Sequence, residues 1–179
     1  MATQDFFSKH WLAGVLILLF VLNAIWMVRM SGHLETVAVG RDAPDFRLRV
    51  VAGEGAGREL ALSDLRGKVV LVDFWATWCS PCLDAMPSLA ALHRSIRARG
   101  ATVIGVATDG SETGAIRRIV DDAGVDYPIL LDEDGKVAGR YAVDGLPTLF
   151  LLDRRGVVRA VEHGARPVES LERLVRPLL

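Results

Sequence analysis

Cys79 and Cys82 are the only cysteines in this 179-residue chain, and only Ser80 and Pro81 separate them. Two thiols at that spacing can close a structural disulfide, bind a metal, or trade electrons with another dithiol. A disulfide enclosing so short a loop restrains little of the unfolded chain and stabilises weakly. A closed zinc site takes four ligands. The chain has no second CxxC, and His10, His33, His93 and His163 are scattered along it, each read as a surface residue rather than a ligand. Transient Cu(I) binding needs only two thiolates, so a copper carrier stays open as a second reading. Exchange chemistry needs one thiol that ionises readily. "VVLVDFWATWCSPCLDAMPSL" passes from an apolar strand pattern into a helical one at the cysteines. That places Cys79 at a helix N-terminus, where the macrodipole and spare N–H groups favour the thiolate over the thiol. Cys82, one turn further in, can reach back to close the disulfide. Pro81 suits the first turn, where a missing N–H costs nothing.

Asp73 is the other residue with chemistry to offer. It interrupts "KVVLVDFWA", residues 68–76, an otherwise nearly continuous apolar run. Such a run suits a strand buried on both faces, where a carboxylate is costly. Burial would raise its pKa towards neutrality, the range useful to a general base. The plainer alternative is an acid that is satisfied by hydrogen bonds or partly exposed. Trp75 is read as core.

The elements around these residues follow from periodicity. "DFRLRVV" alternates apolar and charged residues as a half-buried strand does, "GEGAGR" (53–58) is a Gly-rich turn, and "ELALSDL" reads as a short strand with a turn of helix, making an N-terminal hairpin. Residues 81–100 carry a helical stripe of Leu83, Met86, Leu89, Ala90, Leu92 and Ile96, ended by Gly100 and interrupted by Pro87, which would kink it. "ATVIGVATD" (101–109) is a second buried strand, 112–124 a helix ended by Gly124, "YPILLD" (127–132) a short strand, and 135–143 a short helix. "PTLFLLD" and "VVRAVEHG" form a hairpin across "RRG", and "PVESLERLVRPL" closes the chain as a helix. Strand–helix alternation followed by a hairpin predicts an α/β fold, a central mixed sheet with helices on both faces.

Composition narrows the partners. Charge is nearly balanced, 21 Lys and Arg against 22 Asp and Glu, so no basic stripe is offered to nucleic acid. Residues 11–28 hold no charge, and Asn23 is the one strongly polar member. As a helix they would extend about 27 Å, close to the roughly 30 Å hydrocarbon core. Trp11 and Trp26 stand near the ends, where indoles prefer the membrane interface. The expectation is an anchor in a lipid bilayer. A cleaved signal peptide would want a shorter apolar run and a better cleavage site than Thr36-Val37-Ala38, and a buried soluble helix is the remaining alternative. Lys9 favours a cytoplasmic N-terminus and Arg29 opposes it.

"VVLVDFWATWCSPC" and "GLPTLFLLDRRGVV" closely resemble the two signatures of the thioredoxin superfamily. "VGRDAPDFRL", "LSDLRGKVVLVDFWATWC" and "MPSL" are similar more narrowly to its membrane-anchored, periplasmic TlpA/ResA-like group, over about residues 37–179. The resemblance implies a thioredoxin fold with an N-terminal β-hairpin extension, divided as 1–10 cytoplasmic N-terminus, 11–30 transmembrane anchor, 31–36 stalk and 37–179 thioredoxin-like domain. It implies that Cys79 attacks, Cys82 resolves and Asp73 passes protons to and from Cys82. It further implies that Pro147 is a cis proline presenting the backbone of Leu146 to an extended client, and that Trp78 packs over the site. No metal and no cofactor beyond the redox-active Cys79–Cys82 disulfide is implied. The activity implied is thiol-disulfide exchange, and the small-residue–proline dipeptide resembles the reducing kind. Clients would be protein disulfides, such as apocytochrome c haem-attachment cysteines or the thiols of a copper-site protein, with a membrane electron donor for re-reduction. The sequence departs from the group at Ala85, where many members carry Glu. "GRDAPDFRL" also resembles peroxiredoxin-like peroxidases, but Thr77 lies two residues before Cys79, not the three of a Thr-x-x-Cys setting.

Overall fold

The apolar runs of the sequence become the centre of a seven-stranded sheet. The computed structural model describes residues 4–31 and 37–179, with side chains in the first helix at positions 11 and 13–27. It divides into two units, Met1–Glu35 and Thr36–Leu179. In the second unit the strands are β1 (Arg47–Ala52), β2 (Glu59–Ala61), β3 (Val69–Trp75), β4 (Ala101–Ala107), β5 (Ile129–Leu131), β6 (Thr148–Leu152) and β7 (Val158–His163), in the order β2-β1-β5-β4-β3-β6-β7. Every residue of β3 and β4 is buried, as central strands covered on both faces require. β3 runs parallel to β4 and antiparallel to β6, so the sheet is mixed.

Alternation along β3 sends Val69, Leu71 and Trp75 to one face and Val70, Val72 and Phe74 to the other. The first face is covered by α2 (Ser80–Ile96), α3 (Thr113–Asp122) and α5 (Val168–Val175), through residues such as Met86, Ile116 and Leu171. The second is covered by α4 (Lys136–Arg140) and the approach to β1, around an aromatic cluster. There Tyr141 meets Phe150 and Phe74 at 5.0 and 5.1 Å, and its hydroxyl donates to the Pro44 carbonyl at 2.8 Å. Pro87 lies within α2 without ending it, on the exposed side. Gly100, at φ +80°, ends the turn that follows.

Two features differ from the sequence reading. The N-terminal hairpin is more than an extension: β1 pairs antiparallel with β5 and so carries the central sheet outward by two strands. Gly53 makes the turn after β1 possible, because a Cβ there would lie 2.0 Å from the Tyr127 carbonyl oxygen. His93, expected at the surface, is 2% exposed. Its Nδ1 accepts the Val103 N–H at 3.2 Å, tying α2 to β4. The signal was present in the spacing, since 86, 89, 93 and 96 fall on one helical stripe. His163 is exposed, while His10 and His33 lie outside the described side chains.

The first unit holds α1 (Gln4–Ser31). Its apolar side chains, among them Leu16, Phe20 and Trp26, are exposed. Among the described residues no helix is long and apolar enough to cross a membrane. The anchor expected at 11–28 also draws on Leu12 and Val28, whose side chains lie outside the description, as do residues 1–3 of the expected cytoplasmic segment and 32–36 of the expected stalk.

Candidate active site

β3 delivers the chain to the site and α2 carries it away. After Trp75 the backbone turns once, with the Cys79 N–H donating to the Ala76 carbonyl at 3.1 Å. Cys79 is the N-cap residue of α2, and its carbonyl accepts the N–H groups of Cys82 and Leu83 at 3.0 and 3.1 Å. Among the described residues no side-chain oxygen caps this helix, and Pro81 occupies its first turn. The cysteines form a disulfide, with Cα atoms 5.3 Å apart. Both are buried, and Trp78 beside them stands outward at 72% exposure. Trp78 therefore presents an apolar surface to solvent. A sulfur at a helix N-cap is favoured as an anion once the disulfide opens.

Asp73 sits mid-strand on the α2 face, 3% exposed. Burial pushes its carboxyl up to about 7. It borders a cavity of about 20 Å³ whose walls include Ala85, Leu89, Pro147, Leu149 and Arg166. That volume holds about one water. Ala85 lies one turn after Cys82 on α2, and its small side chain leaves space beside Asp73. Trp75 is core, fully buried, with its Nε1 lacking a partner among the described residues.

The Leu146–Pro147 peptide is cis. The Pro147 carbonyl is taken by the Gly164 N–H at 2.8 Å, whereas the N–H and C=O of Leu146 are engaged by no other described residue. The structure thus brings Asp73, Pro147 and the helix of Cys82 around one small cavity. Among the described residues, no three His, Cys, Asp or Glu side chains are grouped to hold a metal.

One cluster escaped sequence reasoning. Asp109 Oδ2 accepts from the Thr77 N–H at 3.0 Å, the Thr77 hydroxyl at 2.5 Å and the Ser111 hydroxyl at 2.7 Å. The cause is register: parallel pairing sets Trp75 against Ala107, so the residues two places beyond each strand end also meet. Only an acid directly after an apolar strand hinted at it.

A model of the AhpC/TSA family matches residues 39–161. The chain belongs to the AhpC/TSA family. Its relatives include thiol-disulfide oxidoreductases. It is 35% identical over 162 residues to the thiol-disulfide oxidoreductase ResA of Bacillus thuringiensis (strain Al Hakam), covering 88% of this chain and 90% of that one. It is 32% identical over 167 residues to the thioredoxin-like protein YneN of Bacillus subtilis (strain 168), covering 92% and 95%. A crystal structure of a candidate thiol:disulfide interchange protein DsbE from Chlorobium tepidum superposes with TM-score 0.72 at 33% identity, over 80% of this chain and 99% of that one. This AhpC/TSA family member is accordingly a thiol-disulfide oxidoreductase with a thioredoxin-like fold.

Proposed function

We propose that this oxidoreductase reduces protein disulfides outside the cytoplasm, held at a bacterial inner membrane by residues 11–30. The observation that carries the reading is the disulfide between the chain's only two cysteines, set at the N-terminus of α2. In the reduced protein the Cys79 thiolate attacks one sulfur of a client disulfide. That bond breaks, a mixed disulfide forms, and the client's first thiolate leaves and takes a proton. The Asp73 carboxylate, poised near neutrality by burial, accepts the Cys82 proton. Cys82 then attacks the Cys79 sulfur and expels the client's second thiolate. Two electrons have moved to the client, and the Cys79–Cys82 disulfide is restored. The open backbone of Leu146 pairs with an extended client segment beside Pro147, and Trp78 offers it an apolar contact. Re-reduction falls to a dithiol donor in the membrane, and no cofactor besides the disulfide takes part. Suitable clients are apocytochrome c haem-attachment cysteines or the thiols of a copper-site protein.

Support for the direction comes from Ser-Pro between the cysteines, the reducing kind of dipeptide. Support for the anchor comes from the length and composition of 11–28. A peroxidase reading finds less support, because the Thr77 hydroxyl is committed to Asp109 and Ser111. The test is trapping. Cys82→Ser should accumulate a client on Cys79 as a mixed disulfide released by dithiothreitol, in a membrane fraction that alkaline carbonate does not strip. A wild-type potential near the roughly −120 mV of a strong oxidant defeats the reductant assignment, and a fully soluble chain defeats the anchor.

A further inference from the structure

The turn that presents the disulfide does not hold its shape alone. It is clasped from the next strand, where the loop after β4 crosses the loop after β3. The Thr108 N–H donates to the Trp75 carbonyl at 3.0 Å, and one residue on the Asp109 carboxylate gathers both hydrogen-bonding groups of Thr77 and the Ser111 hydroxyl on one oxygen. The Thr77 and Ser111 hydroxyls are themselves 2.9 Å apart. The other carboxylate oxygen, Oδ1, is buried and has no hydrogen-bond partner among the described residues. No Lys, Arg or His among them pairs with Asp109. Burial alone would raise this carboxyl, but the bonds from Thr77 and Ser111 outweigh it and hold Asp109 below its ordinary value, hence ionised at neutral pH. A buried, unpaired carboxylate oxygen is costly to keep, and this one stands beside the redox turn.

We propose that Asp109 is a positioning residue for thiol-disulfide exchange: it locks the Thr77–Cys79 turn in place, and its uncompensated negative charge disfavours the Cys79 thiolate and so makes the dithiol more reducing. The hydrogen bond to Thr77, two residues of chain at no more than about 7 Å and the cysteine side chain together keep the Asp109 charge within about 14 Å of the Cys79 sulfur. At that range, with an effective dielectric of about 25, a unit charge changes the ionisation equilibrium about fivefold. A reduced state made less stable by that factor corresponds to a potential lower by about 20 mV, since tenfold in the exchange constant is 29.6 mV for two electrons. The inference rests on exchange at Cys79 and Cys82, not on the direction or client proposed above.

The experiment is equilibration of the full chain with glutathione, alongside titration of the Cys79 thiolate by its ultraviolet absorbance. Asp109→Asn keeps an oxygen for the Thr77 N–H but removes the charge. It should shift the glutathione equilibrium about fivefold towards the reduced protein and lower the pH at which Cys79 ionises. Asp109→Ala should shift the equilibrium similarly and also slow exchange with a peptide disulfide, because the turn is released. Glu112→Gln removes an exposed charge three residues away and should leave potential and titration unchanged. An Asp109→Asn protein that melts as wild type yet shows wild-type potential and titration overturns the proposal, and so does an equal response in Glu112→Gln. If Asp109→Asn does not fold, Thr77→Val tests the lock alone, and unaltered exchange kinetics there overturn it. Wild-type chain that fails to equilibrate with glutathione would instead remove the exchange reading itself.

Discussion

Replacing Asp73 with Asn should stabilise the oxidised protein, and by an amount that depends on pH in a set way. In the folded chain burial raises this carboxyl from 3.8 to about 7. Below pH 3.8 it is protonated in both folded and unfolded chains and makes no pH-dependent contribution. Between 3.8 and about 7 the folded state retains a proton that the unfolded state has lost, so stability falls as pH rises. Above 7 the loss is complete. About three pH units at 1.36 kcal/mol each is about 4 kcal/mol, an upper bound because the adjoining cavity lets one water reach the carboxylate. Asn nearly preserves the volume and cannot ionise. Urea unfolding at pH 4 should therefore give similar midpoints for Asp73→Asn and wild type. At pH 8 the variant's midpoint should rise by up to about 2 M, taking a slope of about 2 kcal/mol per M. Resolution of a trapped mixed disulfide should meanwhile slow and lose its pH dependence near 7. Parallel pH profiles for the two proteins between 4 and 8, or a variant less stable at pH 8, would refute the reasoning, because the carboxylate would then be solvated or paired in the folded state.

Two further predictions concern the scaffold. Gly53→Ala should cost more than about 2 kcal/mol in urea unfolding, because φ is +71° and the new methyl meets the Tyr127 carbonyl with no flexible atom to yield. Asp132 is fully buried and accepts the Val137 and Ala138 N–H groups at 3.1 and 2.8 Å, starting α4. Asp132→Ala should lose about 2 kcal/mol by the same measurement, and Asp132→Asn should recover part of it.

Local periodicity carried most of the architecture. The apolar runs at 68–76 and 101–109 became β3 and β4, and the helix and hairpin patterns after them took their expected places, because each signal is written within one element. The chemistry at Cys79, Cys82 and Asp73 was legible for a related reason: residue type and immediate surroundings declare it. What escaped depends on distant pairing. Asp109 meets Thr77 only through the parallel register of β3 and β4, which no short window contains. β1 joins β5 across about eighty residues of chain, so the hairpin looked like an appendage. His93 is the exception, since its stripe was visible and the residue type was weighed above the spacing.

The attachment of β1 to β5 bears on how such a protein survives its own work. Without it, Ile129-Leu130-Leu131 would be an open, wholly apolar margin, ready to recruit any unfolded chain along its length. Capped this way, the sheet finishes instead on β2, three residues long and led by Glu59, while the opposite border, β7, carries Arg159, Glu162 and His163. The sheet thereby turns short or charged rims to solvent, and open backbone is kept for the loop next to the sulfurs.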